Sequence, residues 1–269
     1  MIVRAALCPS PPLLARELTG RADVLPGLRS ACAAVVGRLL AAAPDVVAVI
    51  GAGGETATWD EEDRLDLSAY APAIAATPHL PAAPPGPAGL PVPAGPAAPA
   101  GSAAPAGPAG PAGPAGPADG RGKPGLPLAL GIGALLLDEA GYAGPRLMRA
   151  VDELAPAADC LRLGRELAGA APRVALLAVG DGSARRGPAA PGYLDERAVP
   201  FDDAVERAVR AGDMTALAGL DPDLARDLMA TGRAAWQVLA GAFGGARPVA
   251  DVRYADDPFG VAYLVAVLT

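Results

Sequence analysis

The chain reads as an α/β protein, a three-layer α/β/α domain around a central mixed β-sheet, and three observations predict it. Short β-branched runs end in small or turn-forming residues, amphipathic helical stretches separate them, and two further strand-like runs close the chain. Residues 2–8 (IVRAALC) read as a first strand. Asp23 and Pro26 open a helix that reaches about Ala43, and residues 45–51 (DVVAVIG) form the next strand, which makes a β-α-β unit. Residues 126–140 read as a buried helix. Residues 157–170 read as an amphipathic one with Arg162, Arg165 and Glu166 facing outward, and residues 173–179 (RVALLAV) as a central strand. After a loop over residues 180–200, helices start near Phe201, near Asp221 and Pro222, and near Thr231 and Gly232. Strands over 248–254 and 261–268 then make the sheet mixed.

Composition narrows the partners. With 269 residues and 52% hydrophobic residues the chain can bury a sizeable core. The net charge is −7 and the only adjacent basic pair of note is Arg185-Arg186, so a nucleic-acid partner is not expected, because phosphate backbones need a basic surface. Of the 22 Lys and Arg residues only Lys123 is a lysine, a bias that fits GC-rich coding and carries no functional reading. Cys8, Cys32 and Cys160 lie far apart, which suggests neither a disulfide framework nor a zinc site and suits a reducing cytoplasm. The opening MIVRAALCPS is too short in its apolar run for a signal peptide and reads as mature protein. The longest strongly apolar stretch, residues 126–137, is shorter than the roughly 18 residues a membrane span needs, so no membrane association is expected.

Residues 84–118 consist almost wholly of Pro, Ala and Gly. The glycine frame breaks repeatedly before Gly107, so a collagen triple helix is not expected, and the segment reads as a disordered surface insertion in a single domain spanning residues 1–269. The single histidine, His79, lies beside this tract, away from every segment that could form a pocket.

In open α/β sheets ligands sit beyond the carboxyl ends of the strands. The segments to inspect are therefore Pro9-Ser10-Pro11-Pro12, Gly51-Ala52-Gly53-Gly54-Glu55 and Gly180-Asp181-Gly182-Ser183-Ala184-Arg185-Arg186. The opening ALCPSPPLL, the strand DVVAVIGAGG, the strand and loop LLAVGDGSARR, and the helical tail FDDAVERAVRAGD with DPDLARDLMATGRAAWQVLAGAF follow in order. In that order and spacing they resemble the class III extradiol ring-cleavage dioxygenases of the LigB type. The long stretch GDGSARRGPAAPGYLDERAVPFD is most similar to a divergent branch of that superfamily.

The resemblance implies a ferrous iron held by two histidines and a carboxylate, with open positions for a catechol-type substrate and dioxygen. It places the first histidine where this chain has Ser10, the second at Gly51-Ala52-Gly53, an acid/base histidine at Ala184 and the glutamate in Thr231-Gly232-Arg233 before Trp236. A hydroxyl, a glycine or an alanine cannot replace three such donors. Ser10, Gly53, Ala184 and Thr231 therefore read as degenerate positions, and no cofactor is expected. An alternative keeps iron or another metal at a relocated site of Cys8, Glu55 and Asp181, supporting ring cleavage or another oxidoreductase chemistry. The bland reading of the same residues is a buried small Cys8 and a solvated Glu55.

Gly51, Gly53 and Gly54 resemble a dinucleotide loop, yet the third glycine would fall at Thr56. These glycines read instead as allowing positive φ in the turn leaving the strand. Ser10 and Ser183 are not serine nucleophiles, since no histidine or suitably placed lysine can deprotonate them.

The loop over residues 181–202 gathers Asp181, Ser183, Arg185, Arg186, Tyr193, Asp195, Glu196 and Arg197, stiffened by Pro188, Pro191 and Gly192. One reading is that Arg185 or Arg186 binds a carboxylate or phosphate while Asp181 and Tyr193 orient it, and another is that Arg185, Arg186 and Arg197 pair internally with Asp195, Glu196 and Asp202 to hold the loop down; the two are not exclusive. The expected ligand-binding set is Ser10, Glu55, Asp181, Ser183, Arg185, Arg186 and Tyr193. The expected function is that of a degenerate extradiol dioxygenase-like protein whose cleft binds a small anionic molecule or a partner protein. The resemblance also implies a homodimer, and a scaffold working through the Pro-Ala-Gly insertion stays open.

Overall fold

The computed structural model describes residues 1–20, 22, 24–59, 65 and 125–269. His79, Lys123, Asp23 and the 84–118 insertion lie outside the described residues.

Strand β1 (Ile2–Cys8) leads through a 3₁₀ turn (Pro12–Leu14) and a short helix α1 (Arg16–Thr19) into α2 (Pro26–Leu40). Pro26 suits the first helical turn, where its missing N–H has no intrahelical partner to lose. Strand β2 (Val46–Gly53), β3 (Ala57–Trp59), α3 (Leu128–Glu139), β4 (Arg146–Asp152), α4 (Ala157–Ala168) and β5 (Val174–Val179) follow. The chain ends with α5 (Ala198–Arg210), α6 (Met214–Ala218), α7 (Pro222–Asp227), α8 (Arg233–Phe243), β6 (Ala250–Asp256) and β7 (Tyr263–Leu268).

The strands form one seven-stranded sheet in the order β3-β4-β2-β5-β1-β7-β6. The central four are parallel, and β3, β7 and β6 pair antiparallel at the edges, so the mixed sheet and the three layers stand as the sequence predicts. The β1-α2-β2 unit is present, but its two strands are not neighbours, because β5 inserts between them. Nothing local to the unit specifies that; it depends on where the later strand finds an apolar slot.

Alternation along each strand divides the core in two. Ala6, Cys8, Val47, Val49, Ala175, Leu177, Val179, Tyr263, Val265 and Val267 face α2 and α3. Ala5, Leu7, Ala48, Ile50, Leu176, Ala178 and Ala266 face α4, α5 and α8. Crossovers from β1 and β2 run toward one edge and those from β4 and β5 toward the other. With right-handed crossovers, opposite directions place the helices on opposite faces, as observed.

Several boundaries move from the sequence reading. The buried helix starts at Leu128, since Pro127 before it is extended (φ −50°, ψ 143°). The long loop ends early, because α5 starts at Ala198. Strand β4 (RLMRAVD) mixes arginines with apolar residues, and β3 is only three residues long, so neither shows as a strand in sequence. The reading of Gly51–Gly54 as a positive-φ turn is corrected. None of those glycines has positive φ, and Gly51 and Gly53 lie within β2. Gly51 is required by contact instead: a Cβ there would come within 2.4 Å of the Ala129 Cβ on α3.

Candidate ligand site at the carboxyl edge of the sheet

Strands β1 and β5 run side by side, Cys8 opposite Val179, and then part, β1 toward the α2 face and β5 toward the α5 and α8 face. Such a divergence opens a crevice in an α/β sheet. Here it is bridged by polar groups. The Ser10 backbone N–H donates to Asp181 Oδ1 at 2.7 Å and the Ser10 hydroxyl to Asp181 Oδ2 at 3.3 Å. The Asp181 N–H donates to Thr231 Oγ1 at 3.1 Å, and the Gly232 N–H donates to the Asp181 carbonyl at 2.8 Å. Gly180 permits this contact, since a Cβ there would lie 2.5 Å from the Gly232 Cα.

Burial raises the Asp181 pKa to about 6 against the opposing pull of the two Ser10 hydrogen bonds. The Tyr263 phenol pKa is pushed up as well, first by burial and then by the negative charge of Asp181. Both groups therefore titrate away from their ordinary ranges at one edge of the sheet, which is a common property of functional sites.

A second network lies one step along the loop. The buried Ser183 donates to Asp202 from its N–H at 2.8 Å and from its hydroxyl at 2.5 Å. Arg186 reaches Asp202 Oδ2 at 3.2 Å and Asp257 Oδ2 at 2.5 Å. Burial raises the Asp202 pKa, while the bonds from Ser183 and Arg186 oppose the rise. A cleft of about 160 Å³ opens here, lined by Arg186 together with Asp202, Asp203, Glu206, Asp256 and Asp257. Five carboxylates around one already paired guanidinium make it a poor place for an anion.

Arg185 differs from its neighbour. One terminal nitrogen donates to the Gly192 carbonyl at 2.7 Å, its Nε is buried without a partner, and no carboxylate lies within ion-pair distance among the described residues. Arg197 pairs with Asp195 at 2.8 Å and with Asp227 at 3.4 Å. The internal pairing foreseen for the loop thus describes Arg186 and Arg197, and not Arg185.

The remaining candidates scatter. Tyr193 is 64% exposed with φ +60°, and Leu194 is exposed beside it. Glu55 is exposed on the turn between β2 and β3, and Gly53 pairs with Asp152 within the sheet. Ala184 is buried, its N–H bonded to the Leu228 carbonyl. The structure thus joins Ser10, Asp181 and Thr231 directly, joins Ser183 to Arg186 through Asp202, and leaves Glu55 and Tyr193 apart.

Two residues escaped the sequence reading as individual sites. Tyr263 could have been found from its place in alternation with Val265 and Val267, a polar tip on an apolar face. Arg233 opens α8 at 1% exposure, donating to the Ala155 carbonyl at 2.6 Å, to Gln237 Oε1 at 3.0 Å and to the Glu153 carbonyl. Its i to i+4 spacing from Gln237 is visible in sequence, but its burial is not.

Neither a family model nor a curated protein matches the sequence. Among solved structures the chain is similar to the uncharacterized protein JW3007 from Escherichia coli K12, with a TM-score of 0.34 and 16% identity over 52% of this chain. The chain spans 60% of the length of that neighbour.

Proposed function

We propose that this chain is a ligand-binding protein on a class III extradiol dioxygenase type of scaffold, without iron-dependent ring cleavage, and that it takes a small anion beside Arg185. The observation that carries the iron-free part is the bridge at the carboxyl edge. Where the resemblance places iron ligands, Ser10 and Thr231 are spent on Asp181, while Gly53 and Ala184 offer no donor. A single carboxylate already holding two hydrogen bonds does not fit the two-histidine, one-carboxylate donor set of ferrous iron. The relocated alternative has less support, since Glu55 is exposed on the turn between β2 and β3, Cys8 is a buried thiol and Asp181 is bonded to Ser10.

Arg185 supports the anion. A guanidinium that donates one terminal nitrogen to the Gly192 carbonyl and forms no ion pair among the described residues, with the Asp195 carboxylate acting on it only from a longer distance, has terminal N–H groups left for a carboxylate or phosphate. Arg186 has committed its own to Asp202 and Asp257.

The test combines metal loading with anion binding. After anaerobic incubation with Fe(II) and desalting, the full chain is expected to retain far less than one iron per chain, and about one tightly held iron would overturn the iron-free part. In calorimetric titration with inorganic phosphate and with acetate, Arg185→Ala should weaken binding about tenfold at unchanged melting, the scale of one charge-assisted hydrogen bond. Arg186→Ala should lower the melting temperature through its two ion pairs. Equal binding by wild type and Arg185→Ala removes the anion site.

A further inference from the structure

Three exposed apolar residues gather around the half-buried Arg185. The loop after β5 closes on itself and on the end of α7: the Gly192 N–H donates to the Ala184 carbonyl at 2.9 Å, the Asp195 N–H to the Arg185 carbonyl at 3.0 Å, and the Ala184 N–H to the Leu228 carbonyl at 3.0 Å. These bonds bring residues 184–185, 192–195 and 228–229 together, and Gly192 is where they meet. A Cβ there would come within 2.7 Å of the Arg185 Cγ and within 2.7 Å of the Met229 Sδ, so the stem of the guanidinium and the thioether lie against one backbone position. The guanidinium donates to the Gly192 carbonyl at 2.7 Å, one peptide bond from Tyr193.

Tyr193, Leu194 and Met229 are all exposed. Single exposed apolar residues carry no information, but neighbours that share one surface mark a contact site. Of the three residues other than glycine with positive φ among the described residues, two meet here, Tyr193 at +60° and Met229 at +57°. Side chains of this size rarely adopt that conformation, and backbone held in it clusters at binding sites. The polar groups of the surface narrow the ligand. The N–H groups of Ala184, Gly192, Tyr193, Asp195 and Met229 already donate to carbonyls, which leaves little for the amides of a peptide. Asp195, held by Arg197, lies near enough to interact with the charge of Arg185, so a doubly charged phosphate meets more repulsion there than a singly charged carboxylate.

We propose that the anion beside Arg185 is the carboxylate of a small monocarboxylic acid with a hydrocarbon body. The carboxylate accepts from the terminal N–H groups of Arg185, and the body lies over Met229, Tyr193 and Leu194. Covering apolar surface adds affinity that a bare anion cannot gain, because each fully buried methylene strengthens binding about fourfold. The inference rests on the anion reading of Arg185 and adds the body to it.

Acetate, hexanoate, 1-hexanol, hexylammonium and N-acetyl-leucine test it, each titrated into the full chain by calorimetry. Hexanoate should bind at least about tenfold more tightly than acetate, the return of four methylenes covered on one side, and at least about tenfold more tightly than 1-hexanol or hexylammonium, which lack the negative charge. The double variant Tyr193→Asn, Met229→Asn removes apolar contact with a residue that tolerates the left-handed backbone, and should bring the hexanoate-to-acetate ratio within about threefold at wild-type melting. Leu194→Ser, on an exposed side chain, should lower the same ratio and carries the test if the double variant melts early. If acetate binds through Arg185 and hexanoate binds no more tightly, the proposal is overturned and the anion site stands. If neither binds, both fall. A ratio unchanged in these variants places the body elsewhere and overturns the proposal. So does N-acetyl-leucine binding about tenfold more tightly than hexanoate, which makes the occupant a peptide terminus.

Discussion

Asp181 is ionised at neutral pH in a place that disfavours its charge. Its folded pKa of about 6 stands above the ordinary aspartate value of about 3.9, so the folded state binds the proton more tightly than the unfolded state. The sign follows: this group's contribution to stability rises as pH falls through about 6 and is complete below about 4. Asp181→Asn should therefore stabilise the fold at about pH 7.5 by about 1–2 kcal/mol, less than the full shift implies because solvent still reaches part of the side chain. The gain should vanish near pH 4, and denaturant melts at the two pH values measure it; equal gains at both would refute the desolvation account. A residue whose neutralisation strengthens the fold is a residue kept for another reason. Ser10 and Asp181 were legible in sequence because both follow a strand, and strand ends are where ligands sit. Tyr263 was not, because the residues level with it in the strand register, Ser10 and Asp181, lie more than eighty residues away in the chain. The Arg185 and Arg186 pair was legible as a pair, but which of the two meets Asp202 and Asp257 depends on the backbone turn between them.

Helices α4 and α8 show what an element can hide. Helix α4 reads in sequence as an ordinary amphipathic helix and α8 as a buried one rich in small and apolar residues, and both place a glycine at their crossing. A Cβ on Gly164 would lie 2.0 Å from the Val238 carbonyl oxygen, and one on Gly241 would lie 2.3 Å from the Leu161 carbonyl oxygen. The two backbones thus approach more closely than side chains would permit, and the approach brings α8 and its Thr231-Gly232 lead-in against Gly180 and Asp181. Gly164→Ala and Gly241→Ala should each cost about 1–3 kcal/mol, as forced overpacking does, despite the gain in helix propensity. Thermal or denaturant melts that show either variant as stable as wild type would mean the helices can part without loss. Helix α3 repeats the device against Gly51. In sequence the glycines at the end of β2 suggest a positive-φ turn; only the packed neighbour reveals that the need at Gly51 is for space.

At the scale of the whole molecule, the insertion provides a prediction from composition alone. Residues 84–118 hold too little apolar area to bury, and loop closure grows only logarithmically with length. Replacing them with a short Gly-Ser linker should shift unfolding free energy by no more than about 1–2 kcal/mol, and a larger loss would show that the segment contributes to the folded core. The sheet itself divides what the chain dictates from what the fold decides. The α/β class, the central strands and their helices follow from hydrophobic period, because period two and period 3.6 select a strand or a helix locally, before any tertiary contact. Strand order does not follow: β5 lies between β1 and β2, and nothing local to these three apolar strands specifies which of them takes the central slot. The same holds for the site. Residue type and strand ends named Ser10, Asp181 and the arginines; tertiary structure alone decided that Ser10 binds Asp181 and that Arg186 is consumed by Asp202 and Asp257. Pairing of side chains across strands depends on register and crossover direction, which are properties of the assembled sheet and of no single segment.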